Sequence, residues 1–273
     1  MTGIWTEVAD RVFVGRYRFL DQTIVAVLGR DSALVVDTRS TPRQARELLD
    51  DLHELGAPRV GIVVNTHDHW DHVFGNARFR PAIIWGHERC AMRIRDLGEE
   101  RLAEVATRLP DMASDLAEVV LDPPDRTFVD RATIELEGRR VELVHLGRGH
   151  TDNDIVIRIT DADVVCAGDL LENGSPPSFG DGYPLDWPAT VAALTALVDA
   201  RTLVIPGHGA AAGQAFVVES LADLRAIEAL GRRVHAGELA LEEAVEAAPY
   251  PAASASEALE RTLAQLRGEL PAG

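Results

Sequence analysis

Four side chains able to ligate a metal, His67, His69, Asp71 and His72, fall within six residues of the segment Asn65-Thr66-His67-Asp68-His69-Trp70-Asp71-His72. On a helix the first two would occupy different faces, whereas an extended chain puts positions 67, 69 and 71 on one side. A loop leaving the apolar run Ile62-Val63-Val64 can aim His67 and His69 at one point. It can then turn, so that Asp71 and His72, opening the next helix, face a neighbouring point. Imidazole mixed with carboxylate suits zinc, and iron or manganese nearly as well. A merely solvated loop would scatter its histidines, yet three of the nine in the chain lie here.

Further segments repeat one pattern of apolar strand, glycine and ligand-type residue. Val141 to Gly147 runs into Gly149-His150-Thr151, Asp163 to Gly168 runs into Asp169, and Thr202 to Pro206 runs into Gly207-His208-Gly209. Glycine lets the backbone turn sharply and approach a bound group. In α/β sheets, ligands gather outside the carboxyl ends of strands, so these ends can meet at one site. A lone Gly-His would carry little weight; the series carries much more.

Other polar positions read as supporting residues. His145 alternates with Val144 and Leu146 on a strand, which suits a structural or supporting role. His87 follows a strand and precedes a helix, which suits a surface or helix-N-terminal role, and His53 and His235 fall on helix surfaces. Asp68 is placed either to accept a hydrogen bond from a ligand imidazole or to face solvent. Trp70 either lines a pocket or anchors its loop, and Cys166, after an apolar pair, reads as core. The Gly/Pro-rich segment 172–186 is expected to select substrate or simply to connect, with Phe179 and Tyr183 as candidate lid or oxyanion-donor residues.

The elements that must position these residues are legible as alternating short apolar runs and helical stretches. Strands are expected at 11–15, 23–28, 33–37, 61–65, 81–85, 132–137, 140–146 and 154–159, with further strands around 164–165 and 203–205. Thr41-Pro42 opens a helix whose Leu48, Leu49, Leu52 and Leu55 share a face. Residues 87–119 and 187–198 also read as helical. The last sixty residues are rich in Ala, Leu and Glu, so a core domain over 1–212 is expected to carry a helical extension over 213–273. At 273 residues, with 46% hydrophobic and 26% charged residues, the chain is an ordinary globular one. Its net charge of −17 argues against nucleic acid as a partner. No apolar run reaches membrane-spanning length. The first residues lack a basic, apolar leader, and only Cys90 and Cys166 are present, so a cytoplasmic protein is expected.

In order and approximate spacing, His-x-His-x-Asp-His, Gly-His-Thr, Gly-Asp and Gly-His-Gly together resemble the metallo-β-lactamase superfamily of hydrolases over residues 10–210. The resemblance implies an αββα four-layer sandwich of two mixed β-sheets flanked by helices. It assigns His67, His69 and His150 to one metal and Asp71, His72 and His208 to the second, with Asp169 bridging. Asp169 departs from β-lactamases that carry Cys there and matches the glyoxalase II and lactonase branches. The implied cofactor is a pair of zinc ions, with iron or manganese as substitutes. The implied reaction is attack of a metal-bound hydroxide on a small-molecule ester, thioester, lactone or lactam, with Asp71 passing a proton. A non-haem di-iron oxidoreductase is the alternative, lowered by the lack of a following flavin domain. A phosphodiesterase ranks third, because superfamily members acting on nucleic acids usually carry inserted domains and basic surface. No Gly-x-Ser-x-Gly elbow offers a rival nucleophile.

Overall fold

The computed structural model describes residues 1–270. Its contacts group the chain into two compact units: Met1–His145 with Ile155–Cys166, and Leu146–Asp154 with the chain from Ala167 onward. The first unit carries both antiparallel and parallel strand pairs.

In the first unit, β1 (Ile4–Ala9), β2 (Val12–Tyr17), β3 (Gln22–Leu28) and β4 (Ala33–Val36) form an antiparallel series. Helix α1 (Pro42–Glu54) then leads to β5 (Val60–Val64), which pairs with β4 in parallel. The short helix α2 (Trp70–Val73) precedes β6 (Ile83–His87), which is parallel to β5. Helices α3 (Glu88–Arg108) and α4 (Ala113–Leu116) lead to β7 (Arg126–Phe128), parallel to β6. Because β4 to β7 all run one way, their carboxyl ends share an edge, and Asp37, the 65–72 loop and His87 emerge there. The antiparallel strands β8 (Arg131–Leu136), β9 (Arg139–Val144) and β10 (Val156–Ile159) follow, and β10 pairs with β11 (Val164–Glu172).

Helix α1 forms for the reasons its sequence advertises. The Thr41 hydroxyl accepts from the Gln44 N–H at 3.2 Å, and Pro42 occupies the first turn. Losing such a cap costs about 1 kcal/mol. Ala45, Leu48 and Leu52 are buried in one cluster with Ile24, Val35, Val63 and Ile84, so the helix covers the strands that lead to the 65–72 loop. A second cluster joins Trp70, Val73 and Phe74 to Cys90, Ile94 and Val105 of α3.

In the second unit, β11 continues from Ala167, followed by α5 (Trp187–Thr195), β12 (Leu203–His208), α6 (Gln214–His235), α7 (Leu241–Ala247) and α8 (Ala252–Leu266). Leu230, Ala244 and Leu259 bring the last three helices into one apolar cluster.

Several sequence expectations are corrected. The helix expected over 87–119 breaks after Arg108, where Pro110 offers no N–H and disfavours a helical conformation in Leu109. Strands β1 and β7 were not expected. β11 does not stop at Gly168 but runs to Glu172, so Asp169 lies within a strand rather than just after one. Among the described residues no helix is long and apolar enough to cross a membrane.

Candidate metal centre

Strand β5 delivers the chain to Asn65 and Thr66, which are held before the first histidine is reached. The Thr66 N–H and hydroxyl each donate to the Asp37 carboxylate at 2.8 Å. His72 Nδ1 lies 2.8 Å from the same carboxylate, and His67 Nδ1 lies 3.0 Å from the Thr66 hydroxyl oxygen. An ionised carboxylate only accepts, so His72 Nδ1 and the Thr66 hydroxyl must both donate to it. The Thr66 oxygen is then free to accept from His67 Nδ1–H. This network assigns both imidazoles the tautomer whose lone pair is on Nε2, the orientation that metal-binding histidines need. One buried carboxylate thus orients two rings.

Asn76 braces the same loop. It exchanges hydrogen bonds of 3.0 and 2.8 Å with the Asn65 amide and accepts from the Thr38 hydroxyl at 2.8 Å. Gln22 Nε2 donates to the Asp71 carbonyl at the start of α2. His67 and His72 are fully buried, and Asp71 nearly so. His72 Nε2 sits 3.4 Å from Asp71 Oδ2.

The later ligand-type residues are oriented by similar means. His150 Nδ1 lies 3.1 Å from the Ser178 carbonyl, which can only accept, so Nε2 again carries the lone pair. That Nε2 is 3.5 Å from Asp169 Oδ2, and His208 Nε2 is 3.3 Å from the same oxygen. Two glycines make the approach feasible. A Cβ at Gly207 would fall 1.8 Å from Asp169 Oδ1, and one at Gly209, whose φ is +92°, would fall 1.6 Å from the Asn173 carbonyl oxygen. The Gly-His-Gly spacing is therefore a packing requirement.

The seven residues fall into two ligand groups. His67, His69, Asp71 and His72 lie together in the first unit, and His150, Asp169 and His208 in the second. Lone-pair nitrogens face carboxylate oxygens, and a cation resolves that meeting of acceptors. Imidazole with carboxylate fits a zinc-type ion.

The remaining candidates sort by contact. Asp68 is buried and bonded to Arg101 at 2.5 Å, so it does not face solvent. Trp70 anchors its loop, packed in the α2–α3 cluster and edge-on to Phe19. His87 is buried, not on the surface; its Nδ1 accepts from the Arg89 N–H at 3.2 Å and caps α3, and its ring lies 4.4 Å from that of His145. His53 and His235 lie exposed on α1 and α6. Cys166 is buried, and burial, followed by the charge of Asp37, pushes its thiol well above the usual range. Phe179 and Tyr183 are fully buried, which corrects the lid reading: Phe179 packs on Trp187 and Tyr250, and the Arg148 guanidinium covers the Tyr183 ring. Asp37 and Asn76 were not singled out from the sequence. For Asp37 the signal was present, since Ala33-Leu-Val-Val-Asp37 repeats the pattern of an apolar strand running into a carboxylate.

A profile of the Metallo-beta-lactamase superfamily matches residues 17–208. The chain is 23% identical over 215 residues to "Metallo-beta-lactamase type 2" of Bacteroides fragilis, covering 75% of this chain and 78% of that one. In structure it resembles a metallo-beta-lactamase from Pontibacter korlensis, with TM-score 0.65, 20% identity, and 82% and 99% of the two chains covered. It likewise resembles the metallo-beta-lactamase FIM-1 from Pseudomonas aeruginosa, described in its mono-zinc form, with TM-score 0.63, 18% identity, and 82% and 96% covered. With a mixed α/β fold, two groups of potential metal ligands and a profile match over most of its length, the chain belongs to the metallo-β-lactamase superfamily.

Proposed function

We propose that the protein is a dinuclear zinc hydrolase that cleaves a carbonyl ester, thioester, lactone or lactam. The observation that carries this reading is the pair of ligand groups, with histidine Nε2 atoms turned toward carboxylates. His67, His69 and His150 would hold one ion, Asp71, His72 and His208 the other, and Asp169 would bridge them. Zinc is favoured by the donor set and by the zinc form described for FIM-1. Divalent ions bound there supply Lewis acidity, which acidifies water and polarises a carbonyl oxygen.

The chain's own groups do the rest. Asp37 and the Ser178 carbonyl keep Nδ1 of His72 and His150 protonated, so that Nε2 keeps its lone pair. Asp71 is the proposed proton carrier: its carboxylate takes the proton released by the attacking water and returns it to the departing oxygen, sulfur or nitrogen. Trp187, fully buried, packs with its ring 5.6 Å from that of His150. The same proposal includes the αββα sandwich, a catalytic body over 1–212 and a helical extension over 213–273. A cytoplasmic setting belongs to it too, supported by two cysteines that form no disulfide. A small-molecule substrate fits the net charge of −17 better than a nucleic acid does.

A panel of thioesters, lactones, aryl esters, β-lactams and phosphodiesters tests the reading. Chelator-sensitive hydrolysis is expected among the carbonyl compounds, with weak β-lactam turnover because Asp stands at 169. Activity confined to phosphodiesters would overturn it.

A further inference from the structure

Asp68, between His67 and His69, is a carboxylate that the proposed ligand set does not use, and its side chain is only 1% exposed. Arg101 reaches it from α3. One guanidinium nitrogen lies 2.5 Å from Asp68 Oδ2 and 3.1 Å from the Asp68 backbone carbonyl. The contact therefore fixes both the side chain and the backbone of the residue linking the two histidines, whose rings are 4.6 Å apart. The space beside the pair, bounded by Phe74, Ile94, Leu97 and Gly98, amounts to about 10 Å³. That is about the room one water molecule needs. Trp70 and Phe74 meanwhile dock the other end of the loop on Ile94 and Val105 of the same helix. The loop is held by α3 at two places, one apolar and one ionic.

A carboxylate beside two imidazoles is itself a competing ligand and a competing acceptor for imidazole N–H. We propose that Arg101 is a positioning residue for metal binding: by engaging Asp68, it keeps that carboxylate away from the metal and fixes the spacing of His67 and His69. The proposal rests on the metal-site reading above. Arg101 is tied to this loop through the side chain and carbonyl of Asp68, so its effect on the proposed ligands should depend on Asp68.

The test uses cobalt(II) as the probe on full-length protein stripped of metal. Affinity is measured by chelator competition, coordination by the visible d–d spectrum, and folding by circular dichroism and apo-protein melting. Arg101→Gln should weaken cobalt binding about 10- to 100-fold and alter the spectrum, the scale seen when a group orienting a metal ligand is removed. Arg101→Lys should recover part of the loss. The double variant Arg101→Gln/Asp68→Ala should be little worse than Asp68→Ala alone, because the two residues act as one unit. If Arg101→Gln does not fold, Arg101→Lys and Asp68→Asn carry the comparison. Wild-type cobalt uptake with unchanged affinity and spectrum in the folded variants would overturn the role of Arg101. So would losses that simply add in the double variant. A wild-type protein that takes up no cobalt would overturn the metal reading itself, and this proposal with it.

Discussion

Replacing Asp37 by Asn probes the carboxylate that orients His67 and His72. The substitution keeps size and removes charge. Asp37 accepts from the Thr66 N–H, the Thr66 hydroxyl and His72 Nδ1, each at 2.8 Å. If the Asn oxygen takes the place of Oδ2, the hydroxyl and imidazole contacts survive as neutral bonds, weaker by about 1 kcal/mol each. The Asn amide then points its own hydrogens at the Thr66 N–H, and leaving that buried donor unsatisfied costs about 1–3 kcal/mol more. Apo-protein stability should fall by about 3–5 kcal/mol, against the ~5–15 kcal/mol of a typical domain, so the variant should be markedly destabilised. Metal affinity should fall about 10- to 100-fold, because His72 Nδ1 then donates to a neutral amide oxygen instead of a carboxylate, which leaves Nε2 a less basic ligand. Urea unfolding of chelator-treated protein measures the first effect and zinc competition the second. Stability lowered by less than about 1 kcal/mol, together with unchanged zinc affinity, would refute the orienting network.

Other perturbations test separate parts of the account. Asp169→Asn and Asp169→Ala should lower affinity for the second ion and reduce turnover about 10²-fold or more; near-normal turnover with both ions retained would require a different bridge. Cys90 and Cys166 are both buried, and the Cys166 thiol is pushed up, so a thiol reagent should modify neither in the native protein and both in denaturant. Rapid native labelling of Cys166 would contradict its place in the core. Burial raises the Asp51 carboxyl, but hydrogen bonds from Gly3, Thr2 and Tyr17 outweigh it and hold the group below its usual range. Its stabilising contribution is therefore present above pH ~4 and lost as pH falls through the lower, folded-state value. Acid titration should show Asp51→Asn less stable than wild type near neutrality, with the gap closing toward low pH. A constant gap would contradict this.

The chemistry of this chain was more legible in the sequence than the packing around it. The ligand-type residues stand out because glycine, histidine and aspartate interrupt β-branched runs at strand ends, and the start of α1 stands out because Thr41 and Pro42 have local roles. Strand β1 lacks that clarity: it is largely exposed or half-buried, so its residues do not alternate cleanly. At three residues, β7 is too short to show a period. The roles of Asp37 and Arg101 depend on contacts across 29 and 33 residues, which no local pattern encodes. Phe179 and Tyr183 misled for the opposite reason. Their Gly/Pro-rich surroundings signal an exposed loop, yet the tertiary structure buries both rings.

The most direct test of the central claim is elemental analysis of the protein purified without added metal. Two sets of ligands predict about two transition-metal ions per chain, chiefly zinc. A single tightly bound ion, or none, would contradict the dinuclear centre, and a redox-active iron pair would replace the hydrolase with an oxidoreductase.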